Sequence, residues 1–261
     1  MRGKYVSGML LIMVVMLGSI VLIYAAGIPS GATLTPNKNE TAPADPPGSI
    51  SAFAGNVTEM NIDATSTTKT WQGYYGNITG VVELTDGSNN TLYNWTVDSP
   101  NGEVYASNES GVIWTNIMCF NFTANGTGCL TGDIPNRGGT SACGTNLTQI
   151  NLYYNINETR DVDGVNDTFN RLDHDLFYTN SLQFSAGECP TTRLHNNVGT
   201  EYFQEILLWS PDSNATVFAS KIYNDDASFD EKTVDFEMIV LEDGHGTDEA
   251  ITTYYFYAEL E

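Results

Sequence analysis

Residues 233–241 read TVDFEMIVL, and residues 251–260 read ITTYYFYAEL. In the first stretch Val234, Phe236, Met238 and Val240 alternate with Asp235, Glu237 and Ile239. Apart from Ile239 the period is two, the repeat of a strand with one buried face. Both stretches are rich in β-branched and aromatic residues, which suit a pleated, half-buried surface. Working backward, the same signature predicts strands over residues 182–184, 203–209 and 216–223. A first group precedes them, over residues 56–62, 70–75, 78–84, 91–97, 103–106 and 112–114. Asp86-Gly87-Ser88-Asn89-Asn90 and Ser99-Pro100-Asn101-Gly102 are turn signals inside that group. Between the groups, residues 116–177 open with a Gly-rich, Cys-bearing stretch. Within it, Leu147, Ile150, Tyr153 and Tyr154 fall near helical spacing and predict a short helix over residues 147–155. The expected fold is mainly β: an Ig-like β-sandwich with a loop and short-helix insertion at about residues 116–177. One sandwich is preferred over two small ones.

The chain of 261 residues carries 10 Lys and Arg against 32 Asp and Glu, a formal net charge of −22. Arg2 and Lys4 belong to the N-terminal flank, so the folded part is more anionic still. Such a surface repels phosphate backbones and excludes nucleic acid as a partner. It suits solubility, cations or basic partners.

Residues 9–28, MLLIMVVMLGSIVLIYAAGI, carry no charge. Twenty helical residues cover about 30 Å, one hydrocarbon thickness. A cleaved signal peptide and an uncleaved signal anchor compete. The run is longer than a usual signal core, which favours one transmembrane or signal-anchor helix over residues 1–28. The Arg2 and Lys4 flank places the N-terminus inside and the remainder outside; cleavage would make the protein secreted. Residues 29–51, with Pro43, Pro46 and Pro47 and almost no large apolar side chains, read as a flexible stalk. Residues 52–261 read as the extracellular β-rich domain.

Twelve Asn-x-Ser/Thr sequons occur, at Asn39, Asn56, Asn77, Asn89, Asn94, Asn108, Asn121, Asn125, Asn146, Asn157, Asn166 and Asn214. Composition alone would give about four or five, so the excess points to glycosylation of an exported chain. Cys119, Cys129, Cys143 and Cys189 are the only cysteines. An even count in an exported protein predicts two disulfides. Of three possible pairings, Cys129–Cys143 with Cys119–Cys189 is preferred.

Asp161-Val162-Asp163-Gly164-Val165-Asn166-Asp167 places oxygen ligands at alternate positions around a turn-forming Gly. Asp161, Asp163, Asn166 and Asp167 are therefore candidate calcium ligands, calcium being the one cofactor suggested. The stretch resembles the DxDG loops of thrombospondin type 3 and dockerin repeats. It departs from an EF-hand, because Leu172 stands where the closing Glu would be. An Asp/Gly turn explains the same residues without a metal. There is no GxSxG, HExxH or P-loop, and His174, His195 and His245 sit in no nucleophile pattern. The expectation is a non-enzyme. Trp71, Tyr74, Tyr75, Tyr93 and Trp95 fall at strand spacing and read as core before they read as a sugar-stacking platform.

WQGYYGNITG at 71–80, TLYNW at 91–95, GEVYASN at 102–108, DVDGVND at 161–167, CP at 189–190, FQEILL at 203–208 and the closing TTYYFYAEL together resemble a group of uncharacterised archaeal cell-surface proteins. The resemblance covers most of the ectodomain. It implies a single exported β-rich region and carries no activity. The functional expectation is a membrane-tethered surface glycoprotein with a structural, adhesive or envelope role. The alternatives are a subunit of an extracellular filament, pilin-like or strand-exchanged, and a calcium- or carbohydrate-binding surface module. Expected partners are the membrane, and other surface proteins or further copies of the chain.

Overall fold

The computed structural model describes residues 28–120, 122, 150, 154, 156–157, 161–242 and 251–261. The fold is mainly β, and every strand pair is antiparallel. The strands in chain order are β1 (Ser30–Gly31), β2 (Trp71–Gly76), β3 (Val81–Thr85), β4 (Thr91–Thr96), β5 (Gly102–Ser107) and β6 (Met118–Cys119). A four-residue helix α1 (Val165–Thr168) follows, then β7 (Phe177–Thr179), β8 (Leu182–Phe184), β9 (Thr191–His195), β10 (Glu201–Ser210) and β11 (Ala215–Lys221). The last are β12 (Asp226–Ala227), β13 (Thr233–Val234), β14 (Phe236–Leu241) and β15 (Tyr255–Leu260).

The main sheet has the order β1-β15-β5-β11-β10, with β6 and β9 set end to end along the outer edge of β10. Its central strands are covered on both faces. Val104, Ala106, Leu207, Trp209 and Phe218 turn to one side, where they meet Met238, Val240 and Leu241 of the β14–β2 pair. Tyr105, Ile206, Leu208, Val217 and Ala219 turn to the other, where they meet Trp114, Phe177 and Phe184. Double coverage is why β10 and β11 read as nearly continuous apolar runs rather than alternating ones. Phe218, fully buried against Trp71 and Phe169, exemplifies the first cluster; truncating such a ring to Ala costs about 3–5 kcal/mol.

Several expectations need correction. Residues 56–62 form no strand; every one is exposed, and Val57 is 99% exposed. A strand needs a partner for its backbone groups, and propensity alone supplies none. Residues 112–114 are irregular, because Trp114 turns inward between Tyr105 and Tyr257 at ring distances of 5.0 and 5.2 Å. The stretch 233–241 is two strands broken at Asp235. The buried Asp235 carboxylate accepts from the Ile78 amide at 2.7 Å and the Asp225 amide at 3.0 Å, while its own amide donates to the Gly76 carbonyl and its carbonyl accepts from the Tyr223 amide, so the residue joins β2 to two turns. Ordered strands begin later than expected at Val81 and Tyr255. Strand β6 lies within the expected insertion yet joins the main sheet. Of the expected helix at 147–155, Ile150 is helical and accepts from the Tyr154 amide at 2.9 Å; the other residues of that stretch lie outside the described ones. The apolar run 9–28 does so too, except for Ile28. Among the described residues no helix is long and apolar enough to cross a membrane.

Candidate functional site

The sequons are the most numerous candidate sites. Asn39, Asn56, Asn77, Asn89, Asn94, Asn157, Asn166 and Asn214 are exposed, and Asn108 is half-buried. Asn121, Asn125 and Asn146 lie outside the described residues. Two acceptors sit on left-handed turn residues, Asn89 at φ 62° and Asn214 at φ 53°. Both are turn apices between paired strands, where Asn tolerates that conformation. Elsewhere exposure follows from irregular chain, from an outward strand position, or, at Asn166, from the outer side of the short helix α1.

Cys119 and Cys189 form a buried disulfide with Cα atoms 4.9 Å apart. Cys129 and Cys143 lie outside the described residues. The bridge joins β6 to the chain entering β9, the two segments that share the edge of β10. His174 secures the same place. The Cys189 amide donates to His174 Nε2 at 2.8 Å, so Nε2 is the acceptor nitrogen. Nδ1 then carries the proton and donates to the Asp175 carbonyl at 2.7 Å. Burial holds the imidazole pKa below its ordinary value. His174 is thus a neutral structural ring.

The four candidate calcium ligands do separate jobs. One Asp161 carboxylate oxygen accepts from the Asn157 amide at 2.7 Å. The Asp163 carboxylate accepts from the Thr68 hydroxyl, and its carbonyl accepts from the Trp71 indole at 2.7 Å. The Asp167 carbonyl accepts from the Asn170 side chain at 2.6 Å, and Asn166 is exposed. Among the described residues, no group of three or more His, Cys, Asp or Glu side chains is placed to hold a metal ion.

Buried carboxyls were not foreseen. Glu103 and Glu259 are direct cross-strand partners on β5 and β15. Burial, and next Glu261, push Glu103 well up; burial pushes Glu259 to about 7. Glu259 Oε2 accepts from Tyr105 and the Asn180 amide, whereas Glu259 Oε1 and Glu103 Oε2 have no hydrogen-bond partner among the described residues. Like charges side by side repel, so the pair favours carrying a proton. Glu205 is buried between the sheets with one oxygen on the Ile239 amide, and burial raises it well above the usual range. Both members of the cross-strand pair are closed to solvent, so they cannot meet a substrate as they stand.

The β3–β4 hairpin is of another kind, because every residue of both strands is exposed. Val82 pairs with Trp95 and Leu84 with Tyr93, which puts four apolar side chains on one face. Val81, Glu83, Asn94 and Thr96 share the opposite face. Tyr93 and Trp95 therefore do not join the core, unlike Trp71 and Tyr74, which pack against it. Their rings meet at 4.9 Å with a 64° interplanar angle, a tilted edge rather than a flat platform. Alternation in the sequence marks this amphipathic pattern, but gives no sign of what covers it.

No family model matches the chain, and no curated protein or solved structure matches it either.

Proposed function

We propose that this chain is a membrane-tethered cell-surface glycoprotein, displaying an Ig-like β-sandwich in a structural, adhesive or envelope role and not an enzyme. The observation that carries the reading is the placement of the sequons: none of the nine described acceptors is buried. Glycan attachment needs that access. The uncharged run at residues 9–28 supplies the tether, and the buried disulfide suits an oxidising exterior. Packing of the β14–β2 pair on the main sheet supports the sandwich reading. Glycopeptide mapping of native protein tests it. Occupancy at several of the twelve sequons is the expected result, and bare Asn at every one overturns the glycoprotein reading.

One observation favours a second reading, a filament subunit joined by strand addition. Residues 56–62 have a strand's composition, are exposed, and pair with no strand among the described residues. Fibres containing this chain on native cell surfaces would support it over the simple tether.

A further inference from the structure

The β3–β4 hairpin sits beside the place where the apolar run ends. Ser30 pairs with Ala258 and Gly31 with Tyr257. Ile28, the last residue of that run, is two residues before Ser30, and Leu260 is two residues after Ala258, so both lie toward the same end of the β1–β15 pair. Leu260 in turn touches the root of the hairpin. A Cβ placed on Gly80 would lie 2.3 Å from Leu260 Cδ1, and the Val97 amide closes the root on the Gly80 carbonyl at 3.4 Å. The chain end before Ser30, Leu260 and the base of β3–β4 thus lie toward one end of the β1–β15 pair.

We propose that the hairpin lies on the lipid surface, with Val82, Leu84, Tyr93 and Trp95 in the membrane interface. This rests on the tether reading above. If residues 9–28 span the bilayer, Ile28 stands at the water boundary, and the hairpin root, in contact with Leu260, lies toward the same end of the β1–β15 pair. A hairpin of this length is marginal alone in water and gains from covering one face. Its apolar face combines aliphatic side chains with Trp and Tyr, the residues that favour the headgroup level. The glycan acceptor Asn94 projects from the opposite face and Asn89 sits at the tip turn, so sugars at these sites leave the apolar face bare. Residues 70–102 contain no Lys or Arg but do contain Glu83, Asp86 and Asp98. The lipid it takes is therefore zwitterionic or neutral, held by apolar insertion; anionic headgroups repel it.

Trp95 reports the contact directly. It is 51% exposed, whereas Trp114 and Trp209 are buried, Trp71 is half-buried, and the apolar run holds no Trp. The full chain is reconstituted into phosphatidylcholine vesicles with ordinary or brominated acyl chains, beside the Trp95→Phe variant. Wild-type emission is expected to fall in brominated lipid by a part of one tryptophan's share of the four. The loss is expected to vanish in Trp95→Phe and to shrink when anionic lipid is added. Carbonate extraction of the same vesicles reads the tether separately. A chain that resists extraction but shows equal emission in both lipids overturns the hairpin inference and leaves the tether standing. A chain that carbonate strips away overturns both. Trp95 shielded from aqueous acrylamide yet untouched by bromine, with shielding that grows with protein concentration, assigns the face to a second copy and overturns the lipid contact.

Discussion

Ser30 is the antiparallel partner of Ala258, and the Ala32 amide extends the contact to the Phe256 carbonyl at 3.0 Å. The chain thus joins the main sheet two residues after the apolar run. It then leaves, and rejoins a sheet at Trp71 in β2. Residues 32–69 are exposed throughout and form no strand. They form a long excursion between two sheet contacts, at Ser30–Gly31 and at Trp71.

That geometry predicts where a protease cuts first. Backbone without ladder hydrogen bonds enters a protease cleft most readily. Limited digestion of the folded protein is expected to nick within residues 33–69 while the sheet stays intact by circular dichroism. Initial cuts within β5, β10 or β11 would contradict the arrangement.

The disulfide gives a second prediction. Cys119 and Cys189 are 70 residues apart, and closing a loop of that size is worth about 4 kcal/mol in the chain-entropy account. Replacing both with Ala is expected to lower stability by about that amount, read as a fall in the urea midpoint. The loss should concentrate on β6 and β9 in hydrogen exchange, since the bridge holds both on the edge of β10.

Glu259 gives a third. Its pKa rises from an ordinary 4.5 to about 7 because of burial. The folded state then binds a proton that the unfolded state has lost, so this contribution is full below about pH 4.5 and is lost as pH rises through 7. A shift of that size corresponds to about 3 kcal/mol. Glu259→Gln is expected to be more stable than wild type at pH 8, with the gap closing toward pH 4.5. The difference between the two melting curves is the proper reading, because His174 works in the opposite sense. Its lowered pKa gives stability above the ordinary histidine value that is lost as pH falls. A gap that does not change with pH would show that burial leaves the Glu259 pKa at its unfolded value.

These cases also mark what the sequence made legible. Strands β10 and β11 were plain in FQEILLW and TVFAS, since apolar runs of that length must be covered. The pairing of Cys119 with Cys189 was one of three options until the edge of β10 brought both ends together. Asp235 looks like an outward strand residue; its role as a turn acceptor depends on the Asp225 amide ten residues away and on the Ile78 amide, which is distant in sequence. Residues 56–62 carry strand propensity, yet pairing is a property of two segments. Tyr93 and Trp95 could be placed on one face by alternation, but that this face stays outside the core depends on how the hairpin sits against the rest of the fold. The sequons were fully legible as positions, and their exposure required the fold.

The most direct test of the central claim is the intact mass of the protein purified from native membranes without deglycosylation. The account predicts a chain that retains residues 9–28 and carries mass increments of several glycans. A chain that begins after residue 28 and has the bare polypeptide mass would contradict it.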